Sequence, residues 1–195
     1  MDTAESVGVC FSRDSLRKYI CSSGDVPEAS EGIVLVDYAL SDSPRADNTA
    51  LLAARVTTVE EKTHYWLTCL VEDKYSAQET AYQIAKFVGT HKPARTLIER
   101  LTGWQYLRNE IIRQAERYKL EIGTLTFFKT SKKRDAKRNR ILKFSEACQE
   151  GRVHIVYAGW NELLFTSLIN YTGEKTNKSR HDDAADVCGY LAILG

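Results

Sequence analysis

Three strand-length runs follow one another between residues 32 and 75: GIVLVDYAL (32–40), TALLAARVTTVE (49–60) and THYWLTCLVEDKY (63–75). From residue 76 onward the pattern changes, and helix-length and strand-length segments alternate to the end of the chain. This change of pattern constrains the fold more than any other feature. Strands joined by links as short as Glu61–Lys62 favour an antiparallel meander. Strands separated by helices favour parallel crossovers. A chain that does first one and then the other predicts an α/β fold of order βββαβαβαβαα, with a central mixed sheet and helices on both faces.

The alternating part is marked by its periodicity. Ser76 followed by Glu79 reads as a capping box, and Ala81, Ile84, Phe87 and Val88 hold helical spacing over 76–92. A strand is expected over 94–101, a helix over 103–120, a strand over 122–130 and a helix over 131–151. A strand over 152–159 and helices over 160–172 and 181–194 complete the order. Residues 1–30 hold one short helix, FSRDSLRKYI, and a loop; they read as an N-terminal linker or appendage to a domain spanning 31–195.

At 195 residues, 43% of them hydrophobic and 27% charged, the chain can bury one sizeable core. No apolar run approaches the ~20 residues of a membrane span, and no signal peptide opens the sequence. The five cysteines are scattered, without a C-x-x-C pair or a His–Cys cluster, which argues against a zinc site or a disulfide framework. A reducing cytoplasm fits this usage.

Acids then interrupt apolar segments at three places. Asp37 stands inside the near-continuous run IVLVDYAL, which has the character of a strand covered on both faces. Glu99 stands in TLIERLTG just before a Gly-led turn, where an ion pair with Arg95 or Arg100 is the ordinary explanation. The last helix opens HDDAADVCGYL. At about 100° per residue, Val187, Tyr190, Leu191 and Leu194 form one apolar stripe, with Asp183 roughly 30°, Asp186 roughly 90° and Asp182 roughly 130° from its middle. Asp182 has a capping role available with Ser179. Asp183 continues the buried stripe, where a lone carboxylate is costly.

If the first and fourth strands of the predicted order are neighbours and the last helix packs across them, Asp37, Glu99 and Asp183 converge. Two unit negatives ~4 Å apart repel by about 4 kcal/mol at an effective dielectric of 20. A hard divalent cation relieves that repulsion, and carboxylates without His or Cys suit Mg²⁺ or Mn²⁺. Asp186 could hold a second ion, and two ions are the usual apparatus of phosphodiester hydrolysis. A polyanionic substrate agrees with the distribution of a net charge that sums to only +1. KTSKKRDAKRNRILK (129–143) holds eight basic residues against one Asp, and KTNKSR (175–180) adds three more. Lys129, Lys132, Lys133, Arg134, Lys137, Arg138, Arg140, Lys178 and Arg180 are the candidate DNA-binding residues, able to neutralise phosphate without reading sequence. Neutralising Lys137 and Arg140 is expected to weaken DNA binding and leave metal affinity almost unchanged. Trp104 and Tyr106 stand at helical spacing, which favours core over base stacking.

VLVDYAL with DNTALLAARV after it, TLIERLTGWQYL, KRDAKRNRIL leading to EGRVHI, and HDDAADVCGYL occur in that order over residues 32–194. The set resembles the RNase H-like nuclease superfamily, and within it the C-terminal nuclease domain of the large terminase subunit of tailed bacteriophages. The resemblance implies a metal-dependent endonuclease that cuts concatemeric viral double-stranded DNA during genome packaging, with two Mg²⁺ or Mn²⁺ ions and little sequence preference. It implies Asp37, Glu99 and Asp183 as catalytic metal-binding acids with Asp186 as a fourth metal ligand, and leaves the choice between Asp183 and Asp186 as the main third ligand open. It also implies the cytoplasm of an infected bacterial host as location, and a packaging ATPase domain, a portal and a small terminase subunit as partners. No G-x-x-x-x-G-K-[ST] loop is present, so the chain reads as the nuclease half alone. The rival readings are a Holliday-junction resolvase, an RNase H, and a non-enzymatic DNA-binding or motor-docking module with a structural ion.

Overall fold

The structure is a computed structural model that describes residues 11–40, 48–131, 136–171 and 183–195. In chain order its elements are α1 (Arg13–Arg17), β1 (Ile20–Cys21), β2 (Glu31–Asp37), β3 (Thr49–Val59), β4 (Lys62–Asp73), α2 (Ala77–His91), β5 (Arg95–Glu99), α3 (Trp104–Tyr118), β6 (Leu125–Phe128), α4 (Ala136–Gln149), β7 (Val153–Val156), α5 (Asn161–Asn170) and α6 (Asp183–Leu194). The strands form one sheet in the order β1-β7-β4-β3-β2-β5-β6. β2, β3 and β4 are the expected antiparallel meander, while β5, β6 and β7 join in parallel to β2, β5 and β4 respectively. The mixed sheet with helices on both faces is therefore as the sequence pattern predicts.

The apolar run of β2 is continuous because each face of the sheet has its own core. Ile33 and Leu35 point into a layer built with α4, α5 and α6, and Val34 and Val36 into a layer built with α2 and α3. Leu97 and Ile98 of β5 divide in the same way. The β3–β4 turn is Glu60–Glu61, one residue before the expected link. Both residues are left-handed, at φ 49° and 63°, the turn whose twist matches a two-residue hairpin.

Two expectations need correction. Residues 13–21 are not a detached lead-in: β1 pairs in parallel with β7, and Leu16 is fully buried in the α4–α6 core. A two-residue strand has no periodicity to read, which is why the segment looks like an appendage in sequence. The last helix, in turn, has no solvent side over most of its length. Nine consecutive residues, Asp183 to Leu191, are buried, because α6 is wedged between the β2–β4 face of the sheet and helices α4 and α5. The single apolar stripe drawn from its sequence therefore understates what it buries. No described helix is long and apolar enough to cross a membrane.

Candidate active site

β2 and β5 run parallel and side by side, paired from Ile33–Arg95 to Val36–Ile98. One step beyond the last of these pairs stand Asp37 and Glu99, both on the α6 side of the sheet by strand alternation. β2 is also where antiparallel pairing gives way to parallel pairing, and clefts in open α/β sheets form beyond the carboxyl ends of strands at such a switch. The cleft here has a volume of about 500 Å³ and is lined by Asp37, Tyr38, Asn48, Glu99, Lys137, Asp183 and Asp186, among others. Glu99, Asp183 and Asp186 are each less than a tenth exposed.

Three of the four acids are held by neighbours. The Thr130 hydroxyl donates to Glu99 Oε1 at 2.5 Å. The backbone N–H of Asn48 donates to Asp183 Oδ2 at 3.1 Å, while its side-chain amide donates to Glu72 Oε1 at 2.9 Å. Arg140 donates to Asp186 Oδ1 at 2.7 Å, and Lys137 Nζ lies 3.3 Å from Asp186 Oδ2. The Arg140 guanidinium also rests over the Tyr190 ring, 4.6 Å from its centroid. Gly189 makes this possible, since a Cβ there would stand 3.0 Å from Arg140 Cβ and 3.2 Å from its carbonyl carbon. The missing side chain lets α4 and α6 approach closely enough for Arg140 to reach back to Asp186.

Burial raises the Asp37 carboxyl well above the usual carboxylate range, and the negative charges of Asp186, Glu99 and Asp183 push it further in the same direction. Lys137 opposes them. The four acids thus form one electrostatic unit. Among the described residues, no three His, Cys, Asp or Glu side chains stand in a ready-made metal-ligating arrangement; Asp186 is turned towards its two cations instead.

The structure brings together Asp37, Glu99, Asp183 and Asp186, with Lys137 in the same cleft. The ordinary alternative for Glu99 does not occur: Arg95 pairs with Glu31, and Arg100 lies over Trp104. Lys129 is exposed and Arg138 half-buried. Lys132, Lys133, Arg134, Lys178 and Arg180 lie outside the described residues, as does the Ser179–Asp182 cap. Lys137 and Arg140, expected to act on DNA with little effect on metal affinity, are both paired with Asp186, so neutralising either also changes the charge beside the acids. Sequence reasoning missed Asn48 and Glu72; the only signal was an Asn at the mouth of β3 and an acid near the end of β4.

A sequence profile described as the terminase RNase H-like domain matches residues 34–194, most of the chain. The chain belongs to this family. The terminase domain also shares its fold with solved structures. A mutant nuclease domain of the large terminase subunit gp2 of bacterial virus Sf6, with manganese and beta-thujaplicinol, superposes with a TM-score of 0.64 at 10% identity, over 93% of this chain and 97% of that one. The P22 large terminase nuclease domain does so at 0.60 and 12% identity, over 95% and 90%. The Thermus phage P74-26 large terminase nuclease domain does so at 0.56 and 12%, over 90% of each. No curated protein matches the terminase domain.

Proposed function

We propose that this terminase domain is an endonuclease that hydrolyses the phosphodiester backbone of double-stranded DNA during genome packaging, with two Mg²⁺ or Mn²⁺ ions as cofactors. The observation that carries the reading is the cleft that Asp37, Glu99, Asp183 and Asp186 line together, where burial and the three neighbouring acids hold the Asp37 carboxyl well above the usual range. The donor set fits the ions: the four acids offer only oxygen, they carry excess negative charge, and among the described residues no His or Cys lines the cleft. The manganese held by the Sf6 relative supports the same choice. When bound, the ions supply Lewis-acid polarisation of the phosphate and a water acidic enough to attack it.

The chain's own residues do the rest. Asp37, Glu99 and Asp183 hold the ions. Thr130 and the Asn48 backbone fix the orientation of two of these carboxylates before an ion arrives. Asp186 would act as the fourth ligand on giving up Arg140 or Lys137, the two cations that now pair with it and limit the repulsion the other three acids feel. Lys129 and Arg138, with the basic residues next to them in sequence, neutralise flanking phosphates without reading bases. A packaging ATPase domain, portal and small terminase subunit would be the partners, in the cytoplasm of the infected host.

A plasmid-nicking assay in Mn²⁺ tests the reading. Wild type is expected to convert supercoiled plasmid to open-circular and linear forms, and Asp37→Asn, Glu99→Gln and Asp183→Asn to leave it intact. Cutting that survives Asp37→Asn, or no cutting by wild type in any divalent metal, would overturn it.

A further inference from the structure

A second cleft, of about 420 Å³, adjoins the acidic one and is lined by Arg100, Leu101, Thr102, Trp104, Lys129 and Thr130. Leu101 and Thr102 line both, so the two share a wall. Their charges are opposite. The reason lies in strand alternation at the ends of β5 and β6, which pair in parallel up to Glu99–Phe128. Glu99 faces the α6 side, so the next residue, Arg100, faces the α3 side, and Lys129 does the same on the neighbouring strand. The Arg100 N–H donates to the Phe128 carbonyl at 2.7 Å, which fixes the backbone where the two clefts divide.

Arg100 is preorganised. Its guanidinium sits 4.5 Å from the centroid of the Trp104 ring, and Trp104 packs in turn against Phe127, with centroids 5.1 Å apart. The indole is thus a pedestal for the cation and not an open platform for a base. Arg100 and Lys129 are exposed, and among the described residues neither forms an ion pair with an acid. Thr130 closes the link, lining this cleft while its hydroxyl binds Glu99.

We infer that Arg100 and Lys129 form a phosphate subsite for the DNA backbone beside the acids, a subsite that reads backbone charge and not base identity. The inference rests on the proposed nuclease reading for the identity of the ligand. Arg100 supplies a planar fork suited to phosphate oxygens, Lys129 a mobile point charge, and Trp104 holds the fork in place. Because Thr130 lines the subsite and binds Glu99, DNA backbone seated there lies next to the acids.

The test is DNA binding in EDTA, independent of any cutting. Fluorescence anisotropy of a 20-base-pair duplex of arbitrary sequence, measured across salt concentrations, compares wild type with Arg100→Ala, Lys129→Ala and Trp104→Leu. Lys62→Ala, at the opposite end of the sheet, controls for the loss of one positive charge, and thermal melts confirm that each variant folds. Arg100→Ala and Lys129→Ala should each weaken binding several-fold and reduce the slope of log K against log salt by about one, the release expected for one phosphate contact. Trp104→Leu should move in the same direction by less. Slopes equal to wild type, slopes shifted no more than by Lys62→Ala, or no measurable binding by folded wild type would overturn the inference. Normal nicking with unchanged slopes would sink the subsite and spare the nuclease; altered slopes without nicking would do the reverse.

Discussion

Asp37→Asn should make the ion-free domain more stable while ending its chemistry. Asp37 is buried and feels Asp186, Glu99 and Asp183, with Lys137 opposing them. Two unit charges ~6 Å apart repel by ~3 kcal/mol at an effective dielectric near 20. Lys137 and Arg140 beside Asp186 cancel much of what three such neighbours would impose, which leaves a net cost of about 1–2 kcal/mol. For a domain of this size that is a rise in Tm of about 3–6 °C. The sign follows from the raised proton affinity. Folded protein binds the Asp37 proton more tightly than unfolded protein, so this contribution is fully present below the unfolded pKa and is lost as pH rises through the folded one. The gain from Asn is therefore absent in acid and complete at pH well above the folded value. Circular-dichroism melts of wild type and variant in EDTA, at a pH near 8 and a pH near 4, measure it. Mn²⁺ should then raise the Tm of wild type and leave that of the variant nearly unchanged. A variant that melts at or below wild type in EDTA at the higher pH would refute the argument that the four acids repel one another.

Arg140→Met should cost about 3–5 kcal/mol in urea unfolding, because it strips the nearer cation from a buried carboxylate, whereas Lys137→Ala, a longer and more exposed pair, should cost under about 1 kcal/mol; equal costs would contradict this ranking. Gly189→Ala should destabilise by about 1–3 kcal/mol, since the new methyl meets Arg140 backbone that cannot move without separating α4 from α6; a neutral effect in thermal melts would show the helix crossing to be slack. Cys148 and Cys188 should resist alkylation in the folded state while the half-buried Cys21 and Cys69 react faster, because burial pushes the Cys148 thiol up to about 12 and raises that of Cys188. Mass-spectrometric labelling at pH 8 reads the order directly.

The acids on strands are legible in the sequence because an acid inside a strand-length apolar run has few ordinary explanations. That Asp37 and Glu99 meet is only conditional in the sequence, since a crossover helix leaving the meander can set the next strand beside β2, as for β5, or beside β4, as for β7. Asp186 is harder to place. A helical wheel assumes one buried face, and α6 is enclosed on the side of the sheet and on the side of α4 and α5 at once. Arg140 is harder still, because KRDAKRNRILK offers many basic residues of equal appearance. Which one turns inward is decided by where α4 crosses α6, and that crossing depends on Gly189, some fifty residues away. Asn48 acts on Asp183 through its backbone N–H, a group every residue but proline carries, so its identity holds no signal for that role.

The alternation that builds two cores also sorts the charges at the sheet's carboxyl edge. A residue at the end of β5 or β6 is committed to one face by its position in the strand. The next residue is committed to the other face. Glu99 therefore belongs with Asp37 on the α6 side, Arg100 and Lys129 belong with Trp104 on the α3 side, and Thr130 lines the second cleft while its hydroxyl reaches Glu99. The same period of two that places Leu97 in one core and Ile98 in the other places acid and cation on opposite sides of one edge, one residue's rise apart along the strand. A polyanion lying across that edge meets carboxylates able to hold its counter-ions on one side and fixed cations on the other. Strand register alone puts the two next to each other and keeps Arg100 from collapsing onto Glu99, the acid that immediately precedes it.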